Sequence, residues 1–346
     1  MVFRTIGIIG LIIISISTFI TAAYAEGAPL KLGYLSNACN SDTFIGNDLG
    51  IYEKNGLKVE LVPFTNSGEV HTALVAGKID IAGAGASAPL TYIAKGADEV
   101  LIGGLGDVGG AALVVKKERA GEFSDLKALV GKQLGVVRAA TGDVVYRGAL
   151  TAAGIDWKKD LTIVELESPN AVNEAVKSGK IDAGVTWTPF SFLADEQGLA
   201  VVSWSDQYFP SHPCCRVSVL RTTLDTRHDD LITYLKSNIE ASKVFNTDHP
   251  GTLNVLANYI KIDPAVLEES TYSKEHFGIT PDPDTKGVKK FWNDMQDIGY
   301  IDTSSINLDD HIDVSLYKEA LSELVKENPD DAYYKGLEED YTKKNL

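Results

Sequence analysis

The chain has 346 residues, 44% of them hydrophobic, with 48 acidic against 32 basic side chains and a net charge of −16. Such acidity excludes a nucleic-acid partner, because neutralising phosphates takes clustered Lys and Arg, while the length leaves room for two domains of ordinary size. The three cysteines are an odd number, so a monomer keeps at least one thiol unpaired.

The chain opens with one basic residue, Arg4, an apolar run from Ile6 to Ile20, and Ala23-Tyr24-Ala25 ahead of Glu26. This is the pattern of a secretory signal peptide, residues 1–25, cleaved after Ala25. An uncleaved anchor needs about 20 apolar residues, and Ser15, Ser17 and Thr18 interrupt a shorter run here. The expected address is the periplasm, with no cysteine at the new N-terminus to carry a lipid.

Leu30 to Leu35 alternates as a strand, and Ser36 to Asn40 follows as a loop. A helix is expected over 43–55, stopped by Gly56, and then a strand from Leu57 to Pro63. Thr65 to Gly68 supply a turn and cap for a helix holding His71 and Leu74. Gly77-Lys78-Ile79-Asp80 comes next, and the same phrase recurs at Gly179-Lys180-Ile181-Asp182. Each copy reads amphipathic helix, glycine stop, strand, polar turn, then a helix with Pro89 or Pro189 near its start. The repeat and the β-α-β order predict two similar α/β lobes with mostly parallel sheets.

Val100–Gly104 and Ala111–Val115 read as strands joined by a glycine-rich crossing. Gly104, Gly106 and Gly109 match G-x-G-x-x-G, but a dinucleotide fingerprint must open a helix and this one opens a β-branched run. Further strands are expected at 134–137, 161–166 and 201–204, and helices at 144–153 and 170–178. Tyr208 to Leu220 ends as a strand that returns the chain to the first lobe. Helical pieces follow near 231–245, 252–260, 264–270, 285–298 and 314–325, and Glu338 to Leu346 reads as a solvated tail.

Leu32-Gly33-Tyr34, Gly50 to Leu57, the doubled Gly-Lys-Ile-Asp, Leu126-Lys127 with Gly131-Lys132, Trp187-Thr188-Pro189-Phe190 and Asp309 to Asp313 together carry a resemblance. The chain resembles the periplasmic solute-binding proteins of ABC importers, in particular the nitrate/sulfonate/taurine and thiamine-pyrimidine-precursor binding family. The resemblance implies an α/β type II periplasmic-binding fold of two lobes, each a mixed, mostly parallel sheet flanked by helices, with a helical C-terminal extension. The corresponding division is 26–108 for the first part of lobe 1, 109–210 for lobe 2, and 211–346 for the return to lobe 1 plus the C-terminal helices. It also implies an ABC permease and ATPase as partners, a monomer, and no cofactor. The family commonly carries an acidic residue where Thr188 stands, so this pocket favours an anionic or neutral ligand over a cation.

Ligands of open α/β sheets bind beyond the carboxyl ends of strands, often at helix N-termini. The residues so placed are Ser36, Asn37, Cys39, Asn66, Ser87, Arg138, Thr141, Gly142, Trp187 and Thr188, with Ser87 and Thr188 matched in the repeat. Capping alone accounts equally well for Ser87, Thr141 and Thr188. Arg138 suits a sulfonate or carboxylate, or is a solvated charge; Trp187 suits a ligand wall, or a core position. Cys39, Cys214 and Cys215 should also approach the cleft. An oxidising compartment favours a disulfide from Cys39 to Cys214 or Cys215. The alternative is a soft-metal site of Cys39, Cys214 and Cys215 with His212 or His71, although adjacent cysteines depart from the usual C-x₂₋₄-C spacing.

No His-Glu-x-x-His, Gly-x-Ser-x-Gly or phosphate-loop sequence is present, so catalysis is not expected. The expected role is capture of a small organic anion, sulfonate-, taurine- or nitrate-like, for import. A pyrimidine-like heterocycle or a metal complex are the alternative ligands, and a sensory module is the alternative role.

Overall fold

The computed structural model describes residues 28–346 except 211, 273–275 and 304, so the predicted signal peptide lies outside the described residues. Twelve strands are used below: β1 (Leu30–Leu35), β2 (Val59–Phe64), β3 (Ile81–Gly85), β4 (Glu99–Gly106), β5 (Val108–Gly109), β6 (Ala112–Lys116), β7 (Gln133–Val137), β8 (Thr162–Leu166), β9 (Ala183–Thr186), β10 (Leu199–Trp204), β11 (Cys215–Leu220) and β12 (Phe277–Gly278). They form two five-stranded sheets, ordered β2-β1-β3-β11-β4 and β10-β6-β9-β7-β8, and a small β12-β5 pair. In each large sheet three adjacent strands run parallel through β-α-β crossovers and an edge strand, β4 or β10, runs with them, while the strand between, β11 or β6, runs antiparallel. Among the described residues no helix is long and apolar enough to cross a membrane.

The doubled phrase reports a duplicated unit with a constant offset of 102 residues, as from Gly77 to Gly179. Gly77 and Gly179 both lie in the left-handed region that ends a helix without a Cβ clash, at φ 65° and 77°. Asp80 accepts the backbone N–H of Lys31 at 2.8 Å, and Asp182 accepts that of Gln133 at 3.0 Å, so each aspartate ties the start of the strand beside its lobe's central one, β1 and β7. Ile79 and Ile181 fold over Gly33 and Gly135, where a Cβ would meet the isoleucine Cδ1 at 2.5 and 2.3 Å. Asn66 and Ser168 cap the equivalent helices, Ser67–Val75 and Pro169–Ser178. This register sets Thr188 level with Ala86, correcting the expected match with Ser87.

Two local expectations are also corrected. The helix expected over 43–55 is two, Ser41–Asp48 and Ile51–Lys54, because Gly50 turns left-handed at φ 67° between them. The supposed tail is the helix Ala332–Asn345, which buries Tyr334, Leu337 and Tyr341. Asn345 Nδ2 donates to both carboxylate oxygens of Asp282, at 3.0 and 3.1 Å. Charged spacing on its outer face hid an apolar inner one.

The helices His228–Thr247 and His249–Tyr259 pack on lobe 1 within its main core, around Phe44, Tyr234, Leu256 and Tyr317. A separate apolar cluster joins the lobes. It unites Leu90 and Ile93 of the helix Ser87–Ala94, Val144 and Val145 of the helix Thr141–Ala152, and Val288, Phe291 and Met295 of the helix Thr285–Asp297.

Candidate functional site

Between the lobes lies a narrow cavity of about 40 Å³. Lobe 1 contributes Leu35, Asn37 and Cys39 after β1, Ser67 at a helix start and Gly85 at the end of β3. The opposite wall is Ala111, Ala140, Thr141, Gly142, Trp187 and Thr188, and the return segment adds His212, Cys214 and Cys215. The rule that loops beyond strand carboxyl ends carry the site thus selects this place. No Asp, Glu, Lys or Arg is among these lining residues.

Gly142 is required at its position because a Cβ would meet the Ala111 Cβ at 2.7 Å. It stands with Thr141 in the first turn of the helix Thr141–Ala152, and Ser67 opens the helix Ser67–Val75. Leading amides of a helix lack intrahelical acceptors and sit at the positive end of the macrodipole. Trp187 is half-buried at the wall. Thr188 is buried; its Oγ1 donates to the Ser270 carbonyl at 3.2 Å and its N–H to the Gly110 carbonyl at 3.1 Å.

Several expected residues fall outside the cavity. Ser36 is exposed, since the chain turns after Leu35 and sends Asn37 inward instead. Asn66 is spent on its helix cap, accepting from Glu69 N–H at 3.0 Å, so its neighbour Ser67 lines the cavity. Arg138 is exposed and lines a separate outer groove with Glu69, Glu165 and Glu167. His71 is buried in lobe 1, its Nδ1 paired with Glu99 Oε2 at 2.8 Å. Leu35, Ser67, Gly85, Ala111 and Ala140 were not singled out; small or apolar side chains carry no chemical signature, and only Ser67, beside the predicted cap, was findable by motif.

Ser87 has a different place. Its Oγ donates across the cleft to the Ala139 carbonyl at 2.9 Å, Thr141 Oγ1 donates back to the Cys214 carbonyl at 2.8 Å, and Asn66 Nδ2 reaches the Glu167 carbonyl at 3.1 Å. These bonds hold the lobes together over the cavity. Ala139 sits at φ 57°, a conformation that costs an L-residue about 1 kcal/mol.

The three cysteines meet at the cavity wall. Cys214 Sγ lies 3.6 Å from Cys39 Sγ and 3.4 Å from Cys215 Sγ, all three are buried, and none is disulfide-bonded. Alternation along a strand would send Cys214 and Cys215 to opposite faces. Cys214 precedes β11 and is free of its alternation, while the register shift beside Cys215 skips Leu105 of β4, opposite the cysteines. Hydrogen bonds from Cys215 and Cys39, together with His212 and Arg216, hold the Cys214 thiol well below its usual range, whereas Cys39 and Cys215 are pushed up. The G-x-G-x-x-G glycines serve packing here. A Cβ at Gly104 would meet the Asp282 carbonyl at 2.1 Å, and one at Gly106 would touch Cys39 and Cys214 at 3.4 Å.

Two α/β lobes closing over a small-molecule cavity lined by loops and helix N-termini define a solute-binding protein of the ABC-importer class, which works outside the cytoplasm and is not an enzyme. The chain belongs to the NMT1-like family, whose model matches residues 23–261. A provisionally named binding protein of Brucella abortus is 27% identical over 285 residues, covering 80% of this chain and 87% of its own. A provisionally named ABC transporter periplasmic binding protein of Brachyspira hyodysenteriae is 25% identical over 282 residues, covering 74% and 79%. The fold is that of the alkanesulfonate-binding protein SsuA of Xanthomonas axonopodis pv. citri, solved bound to MOPS, with a TM-score of 0.68, 21% identity, and 80% of this chain and 94% of that one covered.

Proposed function

We propose that the protein, its leader removed after Ala25, is a monomeric periplasmic receptor that captures a small organic anion of the alkanesulfonate type and presents it to an ABC permease and ATPase. The observation that carries the ligand class is the lining itself. Helix starts at Ser67 and Thr141 open onto the cavity, where the positive end of each helix dipole favours an oxyanion, and no carboxylate is among the lining residues to repel it. Thr188, standing where the family commonly has an acid, serves the same end. Leu35, Ala111, Ala140 and Trp187 offer apolar surface for a short organic tail, and the structural neighbour with a sulfonate buffer bound supports the choice.

Capture proceeds by closure of residues 109–210 onto the unit formed by 26–108 and 211–346, about the two crossings near 103–110 and 208–216, a hinge motion of known type. A flat pyrimidine-like heterocycle is the second reading, favoured by the indole of Trp187 at the cavity wall. Native mass spectrometry of exported protein, followed by calorimetry with taurine, methanesulfonate and nitrate, tests the proposal. A bound organic anion that exchanges with methanesulfonate supports it. A neutral heterocycle or an organic cation as the bound species, with no heat from any anion, overturns it.

A further inference from the structure

We propose that Cys39, Cys214 and Cys215, completed by His212 once its side chain moves in, form a binding site for one thiophilic d¹⁰ cation, Cu(I) or Zn(II), on the lobe 1 side of the cleft. Three observations meet here. Cys214 Sγ lies 3.4 Å from Cys215 Sγ and 3.6 Å from Cys39 Sγ, and all three lie within 4.8 Å of one another. A tetrahedral centre with metal–sulfur bonds of about 2.3 Å sets its sulfurs about 3.8 Å apart, whereas a disulfide needs about 2.05 Å. The cluster is therefore close to the spacing for a shared central ion, the two shorter separations needing to widen by a few tenths of an ångström.

The second observation is a buried imidazole at the same cavity, outside the 4.8 Å group of sulfurs and so reaching a bound ion only by a movement of its side chain. His212 is fully buried and lines the same cavity; its Nδ1 is engaged with the Phe209 carbonyl at 2.8 Å, and its Nε2 has no hydrogen-bond partner. An Nδ1–H bonded to a backbone carbonyl fixes the tautomer that leaves Nε2 as a lone pair, which is how metal-bound imidazoles are usually oriented. A buried ring nitrogen without a partner is otherwise costly.

The third is location. Gly106 lies against Cys39 and Cys214, at van der Waals distance of 3.4 Å from the position of an added Cβ, on the β4 side of the sulfurs. Soft thiolates with an imidazole select Cu(I) or Zn(II) over hard cations, and Cys₃His is an established tetrahedral set for zinc. On binding, sulfur–hydrogen bonds are replaced by sulfur–metal bonds and the protons leave to solvent, with no change of oxidation state. Because Cys39, Cys214 and Cys215 all belong to lobe 1 strands or their loops, the ion loads without lobe closure, and this inference stands apart from the anion reading.

The test uses the full secreted chain, purified anaerobically with its thiols reduced. It is titrated with Co(II) as a spectroscopic probe, then with Zn(II), and with Cu(I) against a chromophoric competitor. One equivalent, with a thiolate-to-cobalt charge-transfer band that Zn(II) displaces, is expected. Cys39→Ser and Cys214→Ser should each weaken binding at least tenfold, and His212→Ala should shift the cobalt ligand-field bands while the cobalt stays bound; circular dichroism and melting checks that each variant folds. Three thiols that react freely with a thiol reagent in the presence of Zn(II), or a preference for Mg(II), would overturn the proposal. So would exported protein holding a disulfide, one thiol and no metal. Calorimetry of methanesulfonate on the unsubstituted protein, first metal-free and then zinc-loaded, separates the two readings: anion heat from metal-free protein supports the receptor function, and one equivalent of metal bound without anion heat supports the metal site alone.

Discussion

Ser87→Ala isolates the contribution of lobe closure, because Ser87 lies outside the cavity yet donates across the cleft to the Ala139 carbonyl at 2.9 Å. In the closed form the substitution leaves that carbonyl buried without its donor, whereas in an open form water replaces it. A hydrogen bond of this kind contributes about 0.5–1.5 kcal/mol net, so the closed-to-open ratio should fall about two- to twelvefold, with fivefold as the central expectation. Solute affinity falls by the same factor when the open form predominates without ligand. Fluorophores placed through unnatural amino acids at exposed Val75 in lobe 1 and Val130 in lobe 2 report the ratio directly by single-molecule energy transfer. Thr141→Val removes the opposing bond to the Cys214 carbonyl, and the pair should couple, since Ser87 N–H also approaches Thr141 Oγ1 at 3.5 Å. An unchanged distance distribution in Ser87→Ala, Thr141→Val and the double variant would show that these bonds do not govern closure, and the hinge argument would fail with them.

Two further outcomes test the fold. Burial raises the Asp182 pKa, but the Gln133 amide and Arg119 outweigh it and hold the carboxyl below its ordinary value. Its stabilisation is therefore present above pH about 4 and lost as pH falls through the lowered folded value. Asp182→Asn should cost about 1–2 kcal/mol at pH 7 and nearly nothing near pH 2, measured as urea midpoints at both; equal losses at both pH values would refute the charge argument. Gly104→Ala drives a Cβ into the Asp282 and Thr280 carbonyls, at 2.1 and 2.6 Å, and should cost about 3 kcal/mol. Gly148→Ala, with open space in a helix, should instead stabilise by about 0.5–1 kcal/mol; thermal melts that rank the two the other way would refute the packing reading.

The duplicated Gly-Lys-Ile-Asp was legible without coordinates because its elements are local: a left-handed glycine to end a helix, an isoleucine to cover a glycine, an aspartate to tie a strand. Those needs repeat wherever the unit repeats. The return of β11 to the first lobe was also readable, since its alternating residues follow a completed second unit. The C-terminal helix was not, because Tyr334, Leu337 and Tyr341 look sparse among charges until a partner surface exists to bury them.

By itself the sequence determined the two α/β units, their helix starts and the loops that face a cleft, all of which depend on propensities acting over a few residues. Only tertiary structure decided which side of each loop faces inward: Asn37 and not Ser36, Ser67 and not Asn66, Thr141 and not Arg138. It also turned Ser87 from a ligand contact into a latch, and drew Cys39, 175 residues from Cys214, to a sulfur separation of 3.6 Å. Distances of that kind are set by sheet order and by a bulge in β4, neither of which leaves a trace in local spacing.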